Sequence, residues 1–213
     1  MMWKRRSIQK MTDISKDSLE ELNSKQFYYS EVGLEHYRLN CLTRMKQLLQ
    51  NSRKLQQDRS QSEMLCDVLH QIGDIYYSLG DLGTALMNFR DSLELKEELF
   101  GEGDLSTAET IRRIGNVYGK QGNLEPELEC YKRTLSITIA HRGDNHVETA
   151  RALKSLGVHY EDYGRLEEAK EYFEKSLKIY EMWKGEEHLE VADVLLNLGN
   201  VYEEEGKLEE ALQ

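Results

Sequence analysis

The sequence predicts an all-α chain, an α-solenoid of antiparallel helix pairs, and three observations carry that prediction. Glycine recurs every 42 residues in three registers: Gly73, Gly115, Gly157 and Gly199; Gly80, Gly122, Gly164 and Gly206; Gly101, Gly143 and Gly185. Tyrosine keeps the same interval at Tyr76, Tyr118, Tyr160 and Tyr202. Between the glycines, apolar residues fall at helical spacing. A fixed period of this size marks a repeat architecture, in which each copy is one supersecondary unit that buries its apolar face against its neighbours.

Each unit reads as two helices. In the third, Ala150, Leu153, Leu156, Gly157 and Tyr160 lie on one helical face. Gly164 ends that helix, because glycine takes the left-handed conformation a helix C-terminus favours. A second face follows in Leu166, Ala169, Phe173, Leu177 and Tyr180, closed by Gly185. Ser60 with Glu63 and Ser106 with Glu109 have the spacing of a capping box at a helix start. Gly157 and Ala169 are small where two helices must approach, and Tyr160 and Phe173 are expected to fill the wider gaps.

This set resembles the tetratricopeptide repeat. In that family the first helix carries a large residue, then Leu-Gly, then Tyr, and the second carries Ala, then an aromatic. Here the large positions are Leu69, Ile111, Leu153 and Leu195, and the pairs are Ile72-Gly73, Ile114-Gly115, Leu156-Gly157 and Leu198-Gly199. The second-helix alanines are Ala85, Ala169 and Ala211, with aromatics at Phe89, Tyr131 and Phe173. The usual repeat is about 34 residues. The longer one here, with loops of the form Gly143, His146, Ala150 and Gly185, His188, Ala192, is similar to the arrays of kinesin light chains and nephrocystin-3-like proteins. The second unit departs from the pattern: Glu127, beside the single proline Pro126, replaces the packing alanine. Either that helix pair is loosened or a small rotation turns Leu128 inward.

Composition narrows the function classes. The chain has 213 residues, 31% charged and 39% hydrophobic, with net charge −11. That balance suits an elongated helical array and argues against general binding to nucleic acid or acidic membranes, which need a positive footprint. Cys41, Cys66 and Cys130 are odd in number and form no C-x-x-C pair. A reducing, cytoplasmic location is therefore expected. No apolar run approaches the roughly 20 residues of a membrane span. Lys4, Arg5 and Arg6 lack a following apolar stretch, so they read as a solvated basic end or a targeting signal rather than a secretory one.

Along the chain, residues 1–26 read as a polar, mobile leader and 27–60 as an amphipathic helical segment, either a cap or a degenerate repeat. Its face runs through Leu34, Tyr37, Cys41, Met45, Leu48 and Leu49. Residues 61–213 hold about four units, starting near 61, 104, 145 and 187. The last stops early in its second helix, so a longer parent array is expected.

Chemistry is sparse. None of the 6 histidines has zinc-site spacing, and His146 and His188 occupy equivalent loop positions. Gly119-Lys120 lacks the spacing and the following Ser or Thr of a phosphate loop. No catalytic residue, metal or cofactor is expected. The resemblance implies that the first helices line a groove. Its positions, unit by unit, are Asp67, His70, Asp74 and Tyr77; Glu109, Arg112, Asn116 and Lys120; Arg151, Lys154, Val158 and Glu161; Asp193, Leu196, Asn200 and Glu203. The middle is locally basic, so Arg112, Asn116, Lys120, Arg151, Lys154, Leu196 and Asn200 are the expected contacts for a partner peptide of acidic or mixed character. The competing reading pairs Arg112 and Lys154 with Glu109 and Glu161. A chaperone-tail clamp is disfavoured, with Ser155 and Asp193 where Asn and Lys are wanted. The expected function is a non-catalytic scaffold or adaptor. The alternative is a regulatory or sensor region of a larger signalling protein, such as an NTPase.

Overall fold

The computed structural model describes residues 17–31, 33–51, 58–185 and 187–206. Lys4 to Arg6 and Ala211 lie outside the described residues. Among the described residues there are nine helices and no strand. They are α1 (Leu19–Glu31), α2 (Glu35–Gln50), α3 (Arg59–Ser78), α4 (Leu82–Phe100), α5 (Leu105–Lys120), α6 (Leu124–Arg142), α7 (Val147–Asp162), α8 (Leu166–Lys184) and α9 (Leu189–Glu204). The chain is a tetratricopeptide-type α-solenoid. It divides into two compact units, residues 1–102 and 103–213.

In the first unit, α1 pairs with α2 and α3 with α4. The segment read as a cap or a degenerate repeat holds the end of α1 and all of α2. α1 begins at Leu19, inside the stretch 1–26, and buries Leu22, Gln26 and Tyr29. The core joins Leu22 and Tyr29 to Cys41, Leu42, Met45 and Leu49 of α2 and to Leu65, Leu69 and Ile72 of α3. Burial pushes the thiols of Cys41 and Cys66 up to about 11. Both therefore stay protonated at neutral pH and act as small apolar groups.

In the second unit, α5 pairs with α6 and α7 with α8, while α9 packs on α8. The core gathers Leu153, Leu156 and Tyr160, Ala169, Phe173 and Tyr180, and Val191, Val194 and Val201. The loop glycines act as expected. Gly164 has φ +67, and its N–H donates to Glu161 O (2.8 Å) while that of Arg165 donates to Tyr160 O (2.9 Å). This is the paired closure of a Schellman turn. Helix starts differ from expectation. The caps are Asp58 and Asp104, whose carboxylates accept from the N–H of Ser60 and Ser106, so neither serine is itself the cap. At the register of Asp104 stand His146 and His188, whose Nδ1 atoms accept from the N–H of Glu148 and Glu190. The repeated histidine is thus a capping residue.

The close approach inside each pair rests on glycine. A Cβ at Gly157 would lie 2.5 Å from Phe173 Cε1; the same clash is 2.6 Å between Gly73 and Phe89 and 2.7 Å between Gly115 and Tyr131. The second-helix aromatic does not fill a wide gap, as the sequence suggested; it sits directly on the first helix. A hydroxyl then faces the partner helix. Ser92 Oγ donates to Cys66 O (2.8 Å) and Ser176 Oγ to Ala150 O (2.7 Å), while Thr134 Oγ1 shares its proton between Cys130 O of its own helix (2.9 Å) and Ala108 O (3.4 Å). Donors and acceptors keep the 42-residue register, and all three hydroxyl residues are buried.

The second pair is neither loose nor rotated. Glu127 keeps the alanine register and is 2% exposed, while Leu128 is only half-buried. Room for the longer side chain comes from Gly119: a Cβ there would stand 2.2 Å from Glu127 Oε1. Tyr77, Glu161 and Glu203 hold that register elsewhere. The carboxylate meets His159, 2% exposed, whose Nδ1 lies 2.9 Å from Glu127 Oε2. His159 replaces the buried aliphatics Ile75, Val117 and Val201 of its register. Tyr131, Tyr160 and Tyr163 surround the imidazole. Three departures from the repeat therefore meet at one buried point.

Two outcomes follow. Gly157→Ala drives a methyl into the Phe173 ring and should cost about 1–3 kcal/mol. Gly83→Ala, near the start of α4 with its nearest neighbour 3.7 Å from a new Cβ, should be neutral or stabilising by up to about 1 kcal/mol. Urea unfolding of both variants checks this, and equal losses would refute the close seat. Glu127→Ala strands a buried imidazole without its hydrogen-bond partner and should cost about 1–3 kcal/mol. Adding His159→Val restores the repeat pattern at both positions. The double variant should be more stable than the sum of the singles by about 1–3 kcal/mol; additive losses in the same assay would show that the two residues are not a unit.

Candidate functional site

The site is built on the first helices of the second unit. On α5, Glu109, Arg112 and Arg113 fall within one turn. Arg112 Nε donates to Glu109 Oε2 (3.0 Å) and its Nη2 to Oε1 (2.6 Å). Arg113 Nε donates to Oε1 at 3.1 Å. Arg151 of α7 brings Nη1 within 4.0 Å of Oε2. Burial alone would make the Glu109 carboxyl harder to ionise. The Arg112 hydrogen bond, with the charges of Arg112, Arg113 and Arg151, outweighs it and holds the carboxyl below its ordinary value. Burial raises the Tyr180 phenol of α8 above its usual range, against the opposing charge of Arg151 nearby.

Beside this node lies an open cleft of about 230 Å³, lined by Leu105, Ala108, Arg112, Thr134, Thr138 and Arg151 together with Glu109 and Glu148. Glu148 sits in the first turn of α7, where the helix dipole favours a negative charge. It is also engaged by Arg142 at 3.2 Å.

The other expected contacts divide. Lys154 forms an ion pair with Asp193 of α9, not with Glu161. Asn116 Oδ1 accepts from the Tyr131 hydroxyl (2.8 Å), which ties it to the helix pair. Lys120 is exposed in the last turn of α5. Leu196 stands 69% exposed on α9. Asn200 lies near Glu161, whose carboxyl is raised first by burial and then by the charges of Asp162 and Glu204. The face therefore has a basic end at Arg112, Arg151 and Lys154 and an acidic end at Glu161. Arg151 to Glu109 of α5 and Lys154 to Asp193 of α9 are the ion pairs that link α7 to its neighbours along this face. Sequence reasoning did not name Thr134 and Thr138, which line the cleft from α6.

Among the described residues no group of three or more His, Cys, Asp or Glu is placed to hold a metal ion. Among the same residues no helix is long and apolar enough to cross a membrane.

The family model of the tetratricopeptide repeat matches residues 64–140, 128–182 and 149–213. The chain belongs to the tetratricopeptide-repeat family. A search of curated proteins finds no sequence match. Among solved structures this tetratricopeptide array is similar to BtubC (BKLC) from P. vanneervenii, at 18% identity and TM-score 0.73, covering 91% of this chain and 75% of that one. It is also similar to a putative kinesin light chain with nearly identical repeats from Podospora anserina, at 15% identity and TM-score 0.72, covering 91% and 89%. The apo form of RapI superposes with TM-score 0.76 at 14% identity, covering 91% and 66%. These likenesses establish the fold, and kinesin-light-chain-like arrays are among them.

The Glu109 node gives a pH dependence. Its carboxyl titrates lower in the folded than in the unfolded chain, so the folded state binds fewer protons there. The stabilisation is present above the ordinary glutamate value of 4.5 and fades as pH falls below it. Glu109→Gln should lower the melting temperature at neutral pH, and the gap to the parent should close between roughly pH 5 and pH 3. A gap that stays constant would contradict the assignment.

Proposed function

We propose that this tetratricopeptide array is a non-catalytic scaffold that holds a segment of a partner protein against the first-helix face formed by α5, α7 and α9. The family supports the coarse reading, since its repeats serve as protein-interaction modules. The observation that carries the finer one is the placement of Arg112, Arg151, Lys154, Leu196 and Asn200 along one surface of adjoining first helices. Guanidinium groups and amides grip carboxylates and peptide backbone, and the exposed Leu196 offers an apolar anchor beside them. A basic end within a chain of net charge −11 favours a segment of acidic or mixed character. Inertness of the two buried thiols suits action in a reducing compartment such as the cytoplasm.

Peptides selected on the immobilised protein supply the test. Arg112→Glu and Lys154→Glu, each confirmed as folded by circular dichroism, should weaken a selected peptide by about tenfold or more, because a buried or half-buried charge contact is replaced by repulsion. A photo-crosslinker on that peptide should label α5, α7 or α9. Retained affinity in both variants, or labelling confined to second helices, would sink the reading.

A further inference from the structure

The loop at Gly33 closes as the later first-helix loops do. Gly33 has φ +70; its N–H donates to Ser30 O (3.3 Å) and that of Leu34 to Tyr29 O (2.9 Å). At Gly80 the same two bonds run to Tyr77 O and, from Asp81, to Tyr76 O. Laying Gly33 on Gly80 sets α1 and α2 over α3 and α4, and burial follows that register. Cys41, Leu42, Met45 and Leu49 fall on Asn88, Phe89, Ser92 and Lys96, all of them buried. The ring seat is what differs. Gln26 stands at the register of Gly73, and Leu42 at that of Phe89. Where the later pairs press a ring onto glycine, the first pair holds an amide beside a smaller side chain.

At this altered seat lies a cleft of about 330 Å³ between α1 and α3, with Leu42 and Met45 of α2 lining it. That volume is within the range of about 300–1,000 Å³ usual for small-molecule sites. Buried Leu42, Met45 and Val68 give it an apolar lining, half-buried Met64 extends this, and exposed Phe27 stands at its side. Gln26 is 1% exposed, yet its amide is weakly answered. Arg38 Nε stands 3.5 Å from its Oε1, and its Nε2 lies 3.4 Å from Asn23 Oδ1. Both distances exceed those of a good hydrogen bond. Arg38 makes its shorter bond, 3.0 Å, to Gln71. Of the two lining acids, Glu63 is engaged by Arg59 at 3.0 Å. The other, exposed Asp67, takes the register of Glu109, but His70 and Gln71 stand where Arg112 and Arg113 hold that glutamate. Among the described lining residues there is no Lys, Arg or His.

We propose that this cleft binds a small arylalkylamine, an ammonium on a short arm from an aromatic ring that carries a hydroxyl or N–H donor. The site belongs to the first unit and is independent of the scaffold reading above. The ammonium pairs with Asp67 at the mouth, with Phe27 beside it as a cation–π partner. The ring lies against Met45, Met64 and Val68, where the pliant thioethers adapt to its shape. Its donor reaches the buried Gln26 carbonyl and supplies the hydrogen bond that Arg38 only half makes. A cation-free lining with a carboxylate at the mouth repels acids and accepts amines, so charge selects the ligand and the buried amide orients it.

The probe is tyramine, titrated into the full chain carrying ¹³C-methyl methionine, with the Met45 and Met64 signals identified by Met45→Leu and Met64→Leu. Both methyl signals should shift under the ring current and saturate below about 10 mM, a range open to so small a ligand. The acid of the same length, 3-(4-hydroxyphenyl)propionate, should move neither. Phenethylamine, which lacks only the hydroxyl, should bind about threefold to tenfold more weakly. Asp67→Asn and Phe27→Ala change exposed residues and leave the fold intact. Asp67→Asn should weaken tyramine by about threefold to fivefold, Phe27→Ala by a similar factor, and Lys175→Ala on α8 should change nothing. Equal shifts with the amine and the acid overturn the site, as do titrations unchanged in both Asp67→Asn and Phe27→Ala. Shifts confined to other methionines, or no saturation by about 10 mM, overturn it as well.

Discussion

The seating of an aromatic ring on a glycine is the constraint on which the rest of this array depends. Phe89, Tyr131 and Phe173 each occupy the space that a Cβ would take on Gly73, Gly115 or Gly157. That contact sets how closely two helices approach. Everything measured at the surface is a consequence of it. Only at that separation do Ser92, Thr134 and Ser176 reach the carbonyls of the partner helix. With the second helix fixed, the next first helix has one place to lie, and the first-helix side chains of adjoining repeats come into register. The ion pair of Lys154 with Asp193 and the meeting of Arg112 with Arg151 around Glu109 are results of that register, not its cause. Partly exposed pairs of this kind add only modestly to stability, whereas the ring seats and the aliphatic core bury the apolar surface that drives folding.

Polar residues inside the array divide by how well they are answered. The buried hydroxyls each donate to a main-chain carbonyl, so burying them costs little. Glu127 with His159 is a larger departure, since both groups can carry charge and both are almost fully removed from water. Such a pair holds only when its partners arrive together. Gly119 yields the volume, His159 supplies the hydrogen bond, and three tyrosines shield the imidazole. The same Gly119 had no phosphate-loop context in the sequence; its use is steric.

The fold was legible because its determinants are local and periodic. Glycine and tyrosine registers located the pairs α3–α4, α5–α6 and α7–α8, and the loop glycines, with positive φ at Gly80, Gly122 and Gly164, ended the first helices where expected. Less legible was anything that needed two repeats at once. Glu127 alone looked like a flaw; its meaning lies in residues 8 and 32 positions further along or back, Gly119 and His159. Ser60 and Ser106 looked like caps because the spacing to Glu63 and Glu109 matched, yet an aspartate two residues earlier was the better acceptor at each site. Along the interaction face, residue identities were readable but partners were not. Lys154 had acids available on its own helix and on the next, and only the geometry chose Asp193. Thr134 and Thr138 escaped notice because they belong to a second helix, which the period marks as a packing element.

The coordinated substitutions at Gly119, Glu127 and His159 also bear on how such a chain can change. Arrays of similar repeats grow and shrink by duplication and exchange of whole copies. At this boundary that freedom is restricted. A copy carrying Glu127 placed before a unit with valine at the His159 register would enclose an unanswered carboxylate. A copy carrying His159 placed after a unit with alanine would enclose an unanswered imidazole. The order of the second and third units is thus written into three side chains, and the meeting of Arg112 with Arg151 stays at one address in the array.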